Sequence, residues 1–283
     1  MKNTNGMKIT CKSIEKFKRW LRSEDRSEGT IVKYARDLNR FADWLNGNNI
    51  TKELLTEYKE KLAQSNLEPV TVNSMLAAIN TYCRFIGLIV RLKFLRVQKK
   101  LFREENREMN RSDFAKLVCA AETKGCHRLA LLMETIGATG IRVSEVRYIT
   151  VEAVQNGSAQ ISLKGKMRCI LLPAKLCRKL LRYAQKQKIR SGVIFLTRNG
   201  KPLNRSYIWA QMKALCEEAG VNPSKVFPHN LRKLFARTFY GIEKDIAKLA
   251  DILGHSSIDT TRIYIMTTGT EHRRKIERLG LVV

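Results

Sequence analysis

A mainly α-helical chain in two domains, the second carrying a small β-hairpin, is the fold class that this sequence predicts. Three observations point there. Apolar residues recur at the helical period through most of the chain, one short stretch alternates instead, and a basic run from 91 to 103 separates two periodic regions. At 283 residues the length suits about two domains, each large enough to bury a core of its own.

Between Thr30 and Leu45, the residues Ile31, Tyr34, Ala35, Leu38, Phe41, Ala42 and Leu45 share a helical face, while Lys33, Arg36 and Arg40 form a separate basic stripe. A solvated helix face accounts for that stripe, and so does a surface for a polyanion. From Val70 to Gly87, the residues Val72, Leu76, Ile79, Cys83 and Ile86 repeat the helical pattern. The run from Arg91 to Arg103 then holds six basic residues and no acidic one: Arg91, Lys93, Arg96, Lys99, Lys100 and Arg103. A linker lying along a phosphate backbone explains both the sign and the place of that run, because each neutralised phosphate releases counterions. Domains are expected at 1–98 and 109–283, joined by a basic linker at 99–108.

Ser112 suits the N-cap of the second periodic region. Helical patterns at about 113–122 and 127–137 lead into Gly137-Ala-Thr-Gly140-Ile-Arg142-Val-Ser-Glu145, which reads as a tight turn into a helix start. Ala159 to Leu163 has strand patterning, Lys164-Gly165-Lys166 reads as a turn, and Arg168 to Leu172 reads as the return strand of a hairpin. Pro173 ends it, and helical periodicity dominates onward, broken at Asn199-Gly200.

Lys and Arg number 53 against 26 Asp and Glu, a formal net charge of +27. The natural counterpart of such an imbalance is a polyanion, nucleic acid first. A membrane is a poorer candidate, since no apolar run approaches the roughly 18 residues of a spanning helix and the start lacks a signal-peptide core. A soluble, cytoplasmic and nucleoid-associated protein is expected. The seven cysteines are scattered with no Cys-x-x-Cys pair, and the four histidines include no His-x-x-x-His pair. Reduced, partly buried thiols and no metal site are the expectation.

Arg142 and Glu145 stand three apart, so on a helix the carboxylate can orient the guanidinium. Taken alone, such a pair is usually a surface ion pair. His229 and Arg232 repeat the spacing just after Pro228, which suits a helix start and aims a proton-transfer group and a planar cation the same way. A capping histidine and a surface arginine would look alike. His255 follows Gly254 and precedes Ser256-Ser257, at a break between helices, where it could bond an anion or sit beside a cap. Tyr264 lies nine residues beyond His255 on the next helix, a place where tyrosine is more often core than catalyst.

In order and spacing, these blocks resemble the tyrosine recombinase (phage integrase) family, closely from about Asn110 to Met266 and more loosely before that. The resemblance implies a two-domain, C-shaped clamp on double-stranded DNA, mainly helical with a small sheet in the catalytic domain. It implies a site-specific recombinase that cuts and rejoins DNA through a 3′-phosphotyrosyl link, without cofactor, ATP or metal. Arg142 and Arg232 would clamp the non-bridging oxygens, His229 would help deprotonate the nucleophile Tyr264, His255 would bond the phosphate, and Glu145 would support the site. The family's general acid is a hairpin lysine; Lys164 matches it, with Lys166 the alternative because this turn is one residue shorter than the common form. A phenolate at neutral pH costs about 4 kcal/mol, which two arginines and a base can offset.

Lys33, Arg36, Arg40, Lys93, Arg96, Lys99 and Lys100 are the expected DNA contacts. The implied partners are a homotetramer on two DNA sites and accessory DNA-bending or directionality proteins. The implied task is integration or excision of a mobile element, or a related strand exchange. Position 233 is lysine where the family often has histidine. Two other readings stay open: a type IB topoisomerase-like strand transferase, and a non-catalytic DNA-binding protein of the same fold. Histidine at both 229 and 255, with a helical amino-terminal half, favours the recombinase.

Overall fold

Hydroxyl residues at the breaks of the apolar pattern start most of the amino-terminal helices. Thr10 caps α1 (Cys11–Ser23), Ser27 caps α2 (Glu28–Leu45), Thr51 caps α3 (Lys52–Ala63), and Pro69 opens α4 (Pro69–Phe85) with the φ that its ring already fixes. The computed structural model describes residues 8–97, 102, 107–163, 166–197 and 199–281, with the side chains of Leu163 and Lys166 left out. Chain contacts divide it into two units, Met1–Lys99 and Lys100–Val283. In the first, the stripe read from sequence is the core: Ile31, Ala35, Leu38, Phe41 and Leu45 of α2 are buried with Phe17 and Leu21 of α1 and Leu76, Ile79 and Tyr82 of α4. Arg36 and Arg40 stay exposed. Lys33 instead turns to the buried Asp37 at 2.9 Å and to the Ser74 hydroxyl on α4.

After α4 the chain runs extended along the same helix. Asn80 donates to the Leu92 carbonyl at 3.0 Å and accepts from the Leu92 amide at 2.8 Å, and Asn73 does the same for Leu95 at 2.9 and 2.7 Å. Leu92 is buried, whereas Arg91, Lys93 and Arg96 are exposed. Lys99 and Lys100 lie outside the described residues.

In the second unit, α5 (Arg111–Thr123) is capped by Asn110, two residues before the expected cap Ser112, and packs with α6 (His127–Thr139). α6 is buried on nearly every side, from Leu129 to Ile136, as a central helix must be. It ends at Gly140, which has φ +66°; a Cβ there would stand 2.4 Å from the Phe235 ring, so the residue serves both the turn and the packing. Gly137 plays no part in that turn: it is helical, and a Cβ would press on Phe114 at 3.0 Å. The segment after Arg142 is a 3-10 helix, Val143–Tyr148, and not the α-helix start expected; Glu145 folds back to the Arg142 amide, and the turn closes before Thr150 caps α7 (Val151–Gln155).

The hairpin pairs β1 (Ser158–Leu163) with β2 (Lys166–Leu171) antiparallel. Leu163 pairs with Lys166, so Lys166 belongs to the return strand and the turn is shorter than the three residues expected. Ala159, Ile161 and Ile170 face the core, while Met167 and Leu171 face out. α8 (Ala174–Lys186) and α9 (Arg205–Lys213) follow. α10 (Pro228–Glu243) lies against α6, and α11 (Ile246–Leu253), α12 (Ile258–Ile265) and α13 (Gly269–Glu277) complete the unit. Among the described residues no helix is long and apolar enough to cross a membrane. Cys83 and Cys216 are buried, Cys126 and Cys177 partly so, and Cys11, Cys119 and Cys169 are exposed; all seven are unbridged.

Candidate active site

The C-terminus of α11 presents three successive carbonyls, groups that a helix end leaves without intrahelical partners and that carry the negative end of its dipole. Each one takes an arginine from a different element. Arg168 Nη1, on β2, donates to Ile252 O at 2.9 Å; Arg232 Nη2, on α10, donates to Leu253 O at 2.6 Å; Arg142 Nη2, before the 3-10 helix, donates to Gly254 O at 3.2 Å. Arg232 also donates to Gly140 O at the end of α6. Gly254 has φ +62°, and a Cβ on it would meet Arg168 Cδ at 2.7 Å, so this glycine makes room for the guanidinium.

Glu145, 1% exposed, is the carboxylate that joins this group. Its Oε1 accepts from Arg142 Nη1 at 2.8 Å, and its Oε2 accepts from the Arg142 amide at 2.7 Å and from Arg168 Nη2. Two of the three guanidiniums bond the one carboxylate and the third, Arg232, bonds carbonyls and His255, so the excess positive charge suits an anion. Arg142 is the open member, with 40% of its side chain exposed. Arg232 is 2% exposed, its Nε is buried with no hydrogen-bond partner among the described residues, and burial followed by the Arg142 charge pulls its pKa to about 10.

Tyr264 is buried in a small apolar cluster with Ala236, Leu249 and Leu253, and two histidines meet its ring edge-on. The His229 ring lies 5.2 Å away at 85° and the His255 ring 5.1 Å away at 86°. His255 Nε2 receives Arg232 Nη2 at 3.0 Å; since a guanidinium only donates, Nε2 is the acceptor, and the proton sits on Nδ1, 2.8 Å from the Thr261 hydroxyl. Burial and then Arg232, Arg142 and Arg168 push His255 down to about 4. Burial and then Lys233, Arg232, Arg205 and Arg142 do the same to His229. His229 is exposed, so solvent moderates that shift, but its direction leaves the ring neutral at pH 7. No hydrogen bond from the His229 ring is found among the described residues, which leaves it able to take a proton.

Arg142, Glu145, His229, Arg232, His255 and Tyr264 are thus brought together. Lys164 lies outside the described residues, as does the side chain of Lys166. Lys233 pairs with the buried Glu108 at 3.4 Å, and Arg237 pairs with the same carboxylate. The sequence reading missed Arg168 and Thr261. Arg168 had a signal: it pairs with Ile161 on the inward face of the hairpin, where alternation calls for an apolar residue. Thr261 stands one helical turn before Tyr264 on the same face and is fully buried. Among the described residues, no group of three or more His, Cys, Asp or Glu could hold a metal ion.

Residues 107–270 match the phage integrase family, and residues 14–87 match the phage integrase N-terminal SAM-like domain. The tyrosine recombinase XerA of Pyrococcus furiosus is 26% identical over 277 residues, covering 95% of this chain and 94% of the relative. The fold is that of the XerH site-specific recombinase bound to palindromic difH substrate in a post-cleavage complex, with a TM-score of 0.75, 20% identity, and coverage of 95% and 85%. A lambda integrase tetramer bound to a Holliday junction has the fold too, with a TM-score of 0.68, 16% identity, and coverage of 92% and 78%.

Proposed function

This chain belongs to the phage integrase family of tyrosine recombinases, enzymes that break and rejoin DNA at specific sites, and we propose that it does so with Tyr264 as the nucleophile. The observation that carries this assignment is the placing of the phenol beside two neutral histidines and next to a group of three arginines with one carboxylate. The Tyr264 oxygen attacks the scissile phosphorus while His229 takes the phenolic proton. Arg142 and Arg232 donate to the non-bridging oxygens, where negative charge grows in the transition state. The bond to the 5′-oxygen breaks, and that oxygen takes a proton from the hairpin lysine, Lys164 or Lys166, and leaves as a 5′-hydroxyl. The phosphate ends on Tyr264 as a 3′-phosphotyrosyl diester. One diester replaces another, so rejoining runs the same steps backward and needs no ATP. Glu145 holds Arg142 in line.

His255 acts differently from a simple donor. Its Nε2 already accepts from Arg232, so it can donate to phosphate only after gaining a proton. A phosphate in the site offsets the three arginine charges that hold its pKa down and favours that protonation.

DNA is the partner. The exposed Arg36 and Arg40, and then Lys93 and Arg96, supply phosphate contacts from the amino-terminal unit, with Lys99 and Lys100 continuing the run, while Lys33 is held by Asp37 and Ser74. A homotetramer on two sites, with accessory DNA-bending or directionality proteins, carries out integration or excision of a mobile element or a related exchange. Tyr264→Phe tests the assignment, since it removes only the attacking oxygen. DNA affinity is expected to survive while the covalent protein-DNA adduct vanishes on a nicked suicide substrate. A normal adduct yield from Tyr264→Phe would reject Tyr264.

A further inference from the structure

We propose that Asn73 and Asn80 are positioning residues that hold the basic segment Arg91–Val97 extended on α4, so that Arg91, Lys93 and Arg96 meet DNA phosphates as one pre-ordered edge. The proposal rests on the DNA-binding reading above and adds the device that orders the contact. The two asparagines are seven residues apart, two turns along one face of α4. Each grips both backbone groups of a single residue: Asn80 donates to Leu92 O and accepts from Leu92 N, and Asn73 donates to Leu95 O and accepts from Leu95 N, at 2.7 to 3.0 Å. This is the exchange of two bonds that a neighbouring strand would make, supplied here by side chains.

An amide is the side chain suited to it, having a donor and an acceptor side by side; a carboxylate could only accept and would set negative charge beside the basic edge. Two anchors three residues apart restrict the backbone between them. With Leu92 buried, Arg91, Lys93, Phe94, Arg96 and Val97 lie outward. Residues 88–97 include three basic side chains and no acidic one. The match to the amino-terminal family domain stops at residue 87, so this strap lies beyond it. A loose basic linker would lose its conformational freedom on binding DNA, whereas one already tied down does not, and its phosphate contacts are correspondingly stronger.

The test uses the full chain and a short random-sequence DNA duplex, with binding measured across a range of salt and amide hydrogen exchange read at Leu92 and Leu95. In N73A/N80A both amides should lose protection and affinity should fall about tenfold, with the slope of log K against log salt unchanged because the charges remain. In R91A/K93A/R96A the slope should shrink by about 3. Adding N73A/N80A to that triple variant should do nothing more. Wild-type affinity in N73A/N80A overturns the proposal, and so does an equal loss in the R91A/K93A/R96A background, which would mean that the asparagines act through the fold of the unit. If R91A/K93A/R96A keeps the full affinity and slope, the DNA contact itself is wrong for this segment, and the clamp has no such role whatever the exchange shows. Should the double variant fail to fold, N73A and N80A singly carry the same test, since each leaves one anchor.

Discussion

Only 14% of the Arg168 side chain meets solvent, and burial pulls its pKa below the ordinary arginine value. Such a charge persists because Glu145 and the Ile252 carbonyl receive it. Removing one member of a buried pair leaves the other uncompensated, typically by about 3–5 kcal/mol. Since Glu145 keeps Arg142, we expect Arg168→Ala to lose about 3 kcal/mol in urea unfolding, the lower end of that range. It should also form the covalent adduct at least roughly tenfold more slowly, because Glu145 is then set by Arg142 alone. Arg168→Lys should recover part of the stability but not the double contact, since an ammonium is a point charge and not a fork. Equal urea midpoints for Arg168→Ala and the unaltered chain would show that Glu145 needs no second arginine. At this scale most of the site was legible, because Arg142 with Glu145, and His229 with Arg232, carry their chemistry at spacings that any reader can test. What stayed hidden was acceptance by backbone: the carbonyls of Ile252, Leu253 and Gly254 have no side-chain signature, so the arginines' common anchor could not be read.

The helices α2 and α4 were legible because an apolar period of 3.6 residues ran through each, and the hairpin because that period switched to two. The 3-10 helix after Arg142 was not, because its shape follows from Glu145 folding back onto the chain, a contact and not a pattern. The hairpin also bears on which lysine is the general acid. A 5′-alkoxide needs a proton as it leaves, whereas a thiolate, several pKa units more acidic as its thiol, does not. Lys164→Ala is therefore expected to cleave ordinary DNA very poorly and to recover on DNA with a 5′-bridging sulfur, while Lys166→Ala shows a smaller defect and little rescue. The register sharpens the contest: Lys166 pairs with Leu163 and has the strand parity of Arg168. Rescue of Lys166→Ala alone would hand the role to Lys166, and rescue of neither would mean that the proton comes from elsewhere.

For the whole molecule, the discriminating question is whether one chain suffices. A topoisomerase-like transferase acts alone, whereas a recombinase must bring two DNA sites together. From Glu271 to Leu281 every residue is exposed, and the apolar Ile276, Leu279 and Leu281 of the basic tail are 54, 62 and 82% exposed. Composition alone does not say whether such an apolar end docks within the chain or on a neighbour. Within the described residues nothing in the second unit covers it, and an apolar stripe beside Arg273, Arg274, Lys275 and Arg278 is one that association would bury. Ile276→Ser, Leu279→Ser and Leu281→Ser combined should leave the core untouched, since all three face water. The variant should thus melt as the unaltered chain does and still form the Tyr264 adduct on a single nicked site. It should, however, pair two sites poorly in a gel assay of synapsis and give correspondingly less strand exchange. If the intact chain stays monomeric on DNA and relaxes supercoiled plasmid without site preference, or if the tail variant pairs sites normally, docking by the tail is wrong; the first result would give the topoisomerase reading its support.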